Sequence, residues 1–194
     1  MYAHYILAAL ISLSTGGLRQ SLVLIPLGTW YNALGGADTG LMTRNFVNAA
    51  GILSFASGAM EVILGTSLEM TRPLVEWFGI LALVIMLTVQ TQDFADMEGD
   101  ASRNRKTMPL VVGEALARWS TAITVVVFSG ICPTYWCLKW HGFVVPITLG
   151  SIVAIRLLSY RTIEADKMTW RIWNTWMVAL YSLPLLRVLI SSCL

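Results

Sequence analysis

The sequence predicts an all-α fold, a polytopic membrane helical bundle of about seven transmembrane helices folded as a single domain over residues 1–194. Three observations carry this. The chain is 56% hydrophobic and only 12% charged, with a mean hydropathy of +0.68, whereas soluble domains carry about 25% charge. Apolar runs recur at 2–14, 18–34, 46–65, 74–91, 115–138, 143–160 and 169–190, separated by short polar breaks, and several approach the roughly 20 residues that cross a bilayer. Basic residues then fall unevenly about those runs. With seven spans, Arg44, Arg103, Arg105, Lys106, Arg118, Arg156, Arg161, Lys167 and Arg171 share one side, nine of the thirteen basic residues, leaving Arg19, Arg72, Lys139 and Arg187 for the other. The excess places the first side in the cytosol.

The first run, 2–14, reads either as a short span or as the apolar core of a signal peptide; it lacks the basic start that a signal peptide carries. Gly16 and Gly17 predict a tight turn into the second run. Between the second and third runs, WYNALGGADTGLMTRNFVN holds Gly35, Gly36 and Gly40, a flexible connection, with Tyr31, Asn32, Arg44, Asn45 and Asn48 as donors at its ends. Those donors could reach a bound diphosphate or simply cap two helix ends; Asp38 reads as a turn residue. Glu61 lies inside the third run, where an ionisable group is by default a functional candidate. Glu69, Arg72 and Glu76 read as a solvated loop on the far side.

The fourth run opens onto the densest charge in the chain, QTQDFADMEGDASRNRKTMPLVVG, residues 90–113. Continued as a helix, Asp93, Asp96 and Asp100 at i, i+3 and i+7 fall within roughly 60° of arc. Carboxylates held that close repel one another unless a cation lies between them, so the pattern suits a hard divalent ion, Mg²⁺. Magnesium is commonly held by one or two carboxylates together with substrate phosphate oxygens, and Arg103, Arg105 and Lys106 supply matching donors for a phosphorylated ligand. The alternative is a solvated interfacial loop whose charges neutralise one another. Gly99 weakens a helix by about 1 kcal/mol relative to Ala, and a helix that stopped there would leave Asp100 out of line with the other two.

Beyond this stretch the chemistry thins. His4 and His141 stand alone, without a Cys or His at ligand spacing. Cys132, Cys137 and Cys193 form neither a metal motif nor a disulfide framework. Trp119, Trp136, Trp140, Trp170, Trp173 and Trp176 sit near the run ends, as a headgroup-level belt does, with cation–π stabilisation of a carbocation as the alternative. A net charge of +2 is too small to suggest a nucleic-acid partner, and none is expected.

QDFADMEGDASRNRKTMP resembles the second aspartate-rich motif of the UbiA superfamily of intramembrane prenyltransferases, and YNALGGADTGLMTRNFVNAAGILSFASG resembles the loop and helix that precede it in a fungal branch that includes terpene cyclases. The resemblance covers most of the chain. It implies nine helices around a central cavity and two aspartate-rich motifs holding Mg²⁺ against an isoprenyl diphosphate. By position, Asp93 and Asp96 become metal ligands with Asp100 beside them, Arg105 and Lys106 face the diphosphate, and Tyr31 and Arg44 belong to a closing loop. The implied activity is prenyl transfer to an acceptor, or cyclisation of the prenyl chain, by a multi-pass integral membrane enzyme with its site open to the cytosol. The first motif is absent, because the aspartates of the chain are Asp38, Asp93, Asp96, Asp100 and Asp166. A chain that starts after the first motif is the expectation, with a non-catalytic membrane protein as a competing reading. A transporter ranks last, because Glu61 alone offers an ionisable group inside a span.

Overall fold

A computed structural model describes the backbone of residues 2–36 and 38–192 and the side chains of 3–36 and 38–188. The described chain is helical, in agreement with the predicted class. It forms two compact units, Met1–Met86 and Leu87–Leu194.

The first unit holds α1 (Tyr2–Thr15), α2 (Leu18–Ala33), α3 (Leu41–Leu64) and most of α4 (Arg72–Thr88). Gly16 and Gly17 take φ values of 102° and 79°, a conformation that costs glycine nothing, and the expected tight turn follows. The turn lies against α3: a Cβ on Gly17 would sit 3.3 Å from the Gly58 carbonyl oxygen. α2 packs along α3. Asn45 Nδ2 donates to the Met86 carbonyl at 2.8 Å, tying α3 to α4.

The second unit continues α4 through a 3₁₀ segment, Val89–Asp96, into α5 (Met97–Ser102), then α6 (Met108–Val112), α7 (Glu114–Tyr135), α8 (His141–Ser159), α9 (Ile163–Tyr181) and α10 (Leu183–Ser192). α7, α8 and α9 pack in sequence, and α9 lies against the 3₁₀ segment. The inward stripe of α9 is Asp166, Thr169, Trp173, Trp176, Met177 and Leu180, a 3.6-residue period facing the core. Trp173 Nε1 donates to Thr88 Oγ1 at 3.0 Å and Trp176 Nε1 to Ser129 Oγ at 2.9 Å. Those two indoles are therefore core residues, not members of a headgroup belt, whereas Trp119 and Trp140 are exposed. Gly150 makes this packing possible, because a Cβ there would overlap the Ser129 hydroxyl and stand 3.2 Å from Trp176 Nε1.

All seven predicted runs fall on helices, but four helical stretches among the described residues are long and apolar enough to cross a membrane: Leu41–Leu64, Arg72–Ser102, Glu114–Tyr135 and His141–Ser159. α1 and α2 are shorter, at 14 and 16 residues. The seventh run is displaced. Its helix starts at Ile163 with Thr162 capping Ala165 N–H, and Glu164 and Asp166 complement the positive helix start. It ends at Tyr181 because Pro184, lacking an N–H, cannot continue an uninterrupted ladder, and α10 begins anew. Large apolar side chains such as Phe55, Ile63 and Met42 face outward, as a lipid-facing surface requires. Cys132 is buried and Cys137 exposed; Cys193 lies outside the described residues.

Candidate functional site

The acidic stretch does not run on as a uniform α-helix. Residues Val89–Asp96 wind as a 3₁₀ helix, and at three residues per turn positions i and i+3 share one side. Asp93 and Asp96 are one 3₁₀ turn apart on the segment, while Asp100 belongs to the following helix, α5. Asp93 and Asp100 are buried and Asp96 is exposed. The single α-helical face predicted for the three carboxylates is therefore not formed: Asp93 and Asp96 lie on a 3₁₀ segment, one inward and one outward, and Asp100 on α5. Among the described residues no three His, Cys, Asp or Glu side chains gather as a metal-binding group.

Gly99, read from sequence as a helix breaker, has a steric reason to be there. A Cβ at this position would overlap the Asp96 carboxylate and stand 3.0 Å from its Cγ. Absence of that carbon lets Asp96 fold over the first turn of α5.

Asp100 is engaged by the basic run that follows. Arg105 Nη1 lies 3.2 Å from Asp100 Oδ1, and the backbone N–H groups of Arg103 and Arg105 both donate to the Asp100 carbonyl, at 3.2 and 3.0 Å. Asn104 adopts a φ of 54° to close this turn, a left-handed conformation that asparagine tolerates better than most residues. Arg105 is half-buried, whereas Arg103 and Lys106 are exposed.

Beside the 3₁₀ segment lies a cavity of about 380 Å³ walled by Asp96, Glu98, Glu114, Arg118, Arg161 and Asp166 among others. Arg118 forms part of its wall. Its Nη1 and Nη2 donate to Asp166 Oδ1 and Oδ2 at 2.9 and 2.7 Å, its Nε to Glu114 Oε1 at 2.7 Å, and Nη1 also to the Leu157 and Tyr160 carbonyls at 3.1 and 3.3 Å. Its Cζ stands 4.4 Å from the centre of the Phe94 ring, over its face. Arg118 and Asp166 each retain 2% side-chain exposure, so the forked pair supplies in the interior the hydrogen bonds that water would otherwise make. Sequence reasoning missed Arg118 and Asp166 as site residues. The available signal was an arginine inside the apolar run 115–138, which by the rule applied to Glu61 asks for a partner.

The candidates before α4 belong to the first unit. Arg44 and Asn45 are buried near the start of α3; Asn45 is spent on the Met86 carbonyl. Asn32 is exposed and donates to the Gly28 carbonyl of its own helix at 2.9 Å, and Tyr31 is half-buried. Glu61 is buried near the end of α3, where it accepts from Arg19 Nη2 and, at 3.0 Å, from Leu68 N–H. His141 stacks on Trp140 at 3.8 Å.

Comparison with known proteins places this geometry in a chemical context. Over 151 residues, 73% of the chain, it is 26% identical to the somaliensene A/B synthase of Streptomyces somaliensis, and the match covers 48% of that protein. Over 90 residues, 45% of the chain, it is 34% identical to a diterpene cyclase of Hericium erinaceus, covering 27% of it. Over 88 residues, 42% of the chain, it is 30% identical to the fumagillin beta-trans-bergamotene synthase of Aspergillus fumigatus, covering 28%. The chain thus spans about half or less of the length of these relatives. No family model matches it, and no solved structure gives a significant match. The chain is a homologue of terpene synthases and cyclases, in agreement with its resemblance to the branch of the UbiA superfamily that includes terpene cyclases.

Proposed function

We infer that this chain carries part or all of an intramembrane, Mg²⁺-dependent enzyme that ionises an isoprenyl diphosphate, with its site on the cytosolic side. The observation that carries the reading is that Asp93 and Asp96 stand one 3₁₀ turn apart near the end of a membrane-length helical stretch. Two hard carboxylate donors suit magnesium, which takes its remaining ligands from water and phosphate oxygens. When bound, the ion would stabilise the charge that gathers on departing pyrophosphate.

The protein's own groups have distinct tasks in this reading. Asp93 and Asp96 hold the ion. Asp100 fixes Arg105 through their ion pair, so that a planar donor fork stands preset beside the acids, and preset donors incur little reorganisation cost when charge develops. Arg103 and Lys106, both exposed, add positive charge that draws a diphosphate toward this end of the bundle. Apolar spans offer the prenyl tail an environment free of water.

Cyclisation is the favoured outcome, because each relative named above is a terpene synthase or cyclase; transfer to a separate acceptor is the other. A second reading, a membrane protein that binds lipid diphosphates without turning them over, has one observation in its favour. No further aspartate pair exists in the chain, since Asp38 stands alone between Ala37 and Thr39 and Asp166 is committed to Arg118.

Membranes containing the chain, incubated with farnesyl or geranylgeranyl diphosphate and Mg²⁺, separate these outcomes. Pyrophosphate release accompanied by a cyclic hydrocarbon supports cyclisation, and release that depends on an added acceptor supports transfer. Release no greater than that of an Asp93→Ala, Asp96→Ala double variant rejects catalysis by this chain.

A further inference from the structure

We propose that Arg118 is a positioning residue: through the Phe94 ring it holds the 3₁₀ turn that carries Asp93 and Asp96. The proposal rests on the reading of those two acids as the reactive pair, but its geometry is independent of that reading. Every edge of the Arg118 guanidinium used for hydrogen bonding points at acceptors on α7, at the end of α8, just past it, or on α9: Glu114, Leu157, Tyr160 and Asp166. A fork fixed on three sides cannot rotate, so the direction of its flat face is set as well. The Phe94 ring lies beneath its Cζ, which is 4.4 Å from the ring centre. Phe94 directly follows Asp93, precedes Asp96 by two, and is itself buried.

The consequence is a rigid connection from α7 and α9 to the acidic turn. A 3₁₀ segment of eight residues is longer than such turns usually run and has poorer hydrogen-bond geometry than an α-helix. It needs an external restraint to keep three residues per turn, and the ring contact is placed to provide one. Loss of it would let the segment relax toward 3.6 residues per turn, turning Asp96 away from Asp93 by about 60°.

The test uses the full chain in lipid nanodiscs and compares Phe94→Leu, which keeps apolar bulk but loses the π face, with Phe94→Tyr, which keeps both. Hydrogen exchange followed by mass spectrometry is read over 89–102 and, as an internal control, over α9. The expected result for Phe94→Leu is exchange roughly five- to thirtyfold faster over 89–102 with α9 unchanged, the range that loss of a desolvated cation–π contact implies, and wild-type behaviour for Phe94→Tyr. Where the wild type releases pyrophosphate, Phe94→Leu should also raise the Mg²⁺ concentration for half-maximal rate, with little change in prenyl diphosphate KM. Wild-type exchange over 89–102 in Phe94→Leu, or equal loss in Leu and Tyr, overturns the positioning role. An inactive wild type overturns the catalytic reading and leaves the exchange measurement to decide this one.

Discussion

Arg118 and Asp166, 48 positions apart in sequence, meet through two parallel hydrogen bonds of 2.9 and 2.7 Å in the interior of the second unit. A forked pair removed from water is stabilising only while both members are present: Asp166 alone would be a buried charge, and Arg118 alone would be left with the part-exposed Glu114 and two carbonyls.

Asp166→Leu should therefore lower the stability of the chain by about 3–5 kcal/mol. Arg118→Met combined with Asp166→Leu should recover most of that loss, since Glu114 is already 35% exposed and can be solvated once released, and the two apolar side chains fill the vacated volume. Thermal unfolding of the three proteins in one detergent measures this. A double variant as unstable as the single one would show that the pair itself, and not the stranded charge, matters.

The three acids should separate in their kinetics. Asp93→Asn and Asp96→Asn remove the anionic oxygens proposed to hold the ion, and pyrophosphate release should fall by about a hundredfold or more, with unfolding temperatures close to wild type. Asp100→Asn acts only through Arg105 and should cost less, with an Arg105→Ala, Asp100→Asn double variant no worse than Arg105→Ala alone. Losses that multiply in the double variant would mean that Asp100 acts directly.

Gly99→Ala offers a case in which stability and activity move apart. Alanine is the better helix former by about 1 kcal/mol, and Gly99 has an ordinary helical backbone, so α5 should become no less stable. Its new Cβ displaces the Asp96 carboxylate, and a misplaced group of that kind should lower pyrophosphate release by about ten- to a hundredfold. Unchanged turnover would remove Asp96 from the proposed pair.

Much of the architecture was readable because a bilayer demands long apolar runs, and runs such as 46–65 and 143–160 survive any local ambiguity. What failed to show is what apolarity does not encode. α9 begins six residues before its predicted start because Glu164, Asp166 and Lys167 interrupt the apolar count, although Asp166 itself belongs to the buried face of the helix. The winding of VQTQDFAD at three residues per turn has no composition signal, since the restraint lies on α7, so the arc predicted for Asp93, Asp96 and Asp100 assumed the wrong period. The acids themselves stood out in the sequence by their density. Arg118 and Asp166 were not, because each looked like one more basic or acidic residue near a span end, and their pairing exists only in three dimensions.

Glu61 drew attention in the sequence as an ionisable group within a span, and its surroundings give it a local task. It accepts from Arg19 and from Leu68 N–H, so it links α2, the end of α3 and the segment that follows. Glu61→Gln keeps a carbonyl oxygen for Leu68 and leaves Arg19, whose side chain is 56% exposed, to be solvated. Glu61→Leu leaves the Leu68 N–H with no acceptor, and a stranded buried donor costs about 1–3 kcal/mol. Stability should therefore fall in the order wild type, Gln, Leu, read from unfolding temperatures, while pyrophosphate release per folded molecule stays constant. Reconstituted vesicles carrying Glu61→Gln should also show the same proton and cation permeability as those carrying the wild type. A permeability in the wild type that vanishes in Glu61→Gln would return Glu61 to a functional role and revive the transporter reading.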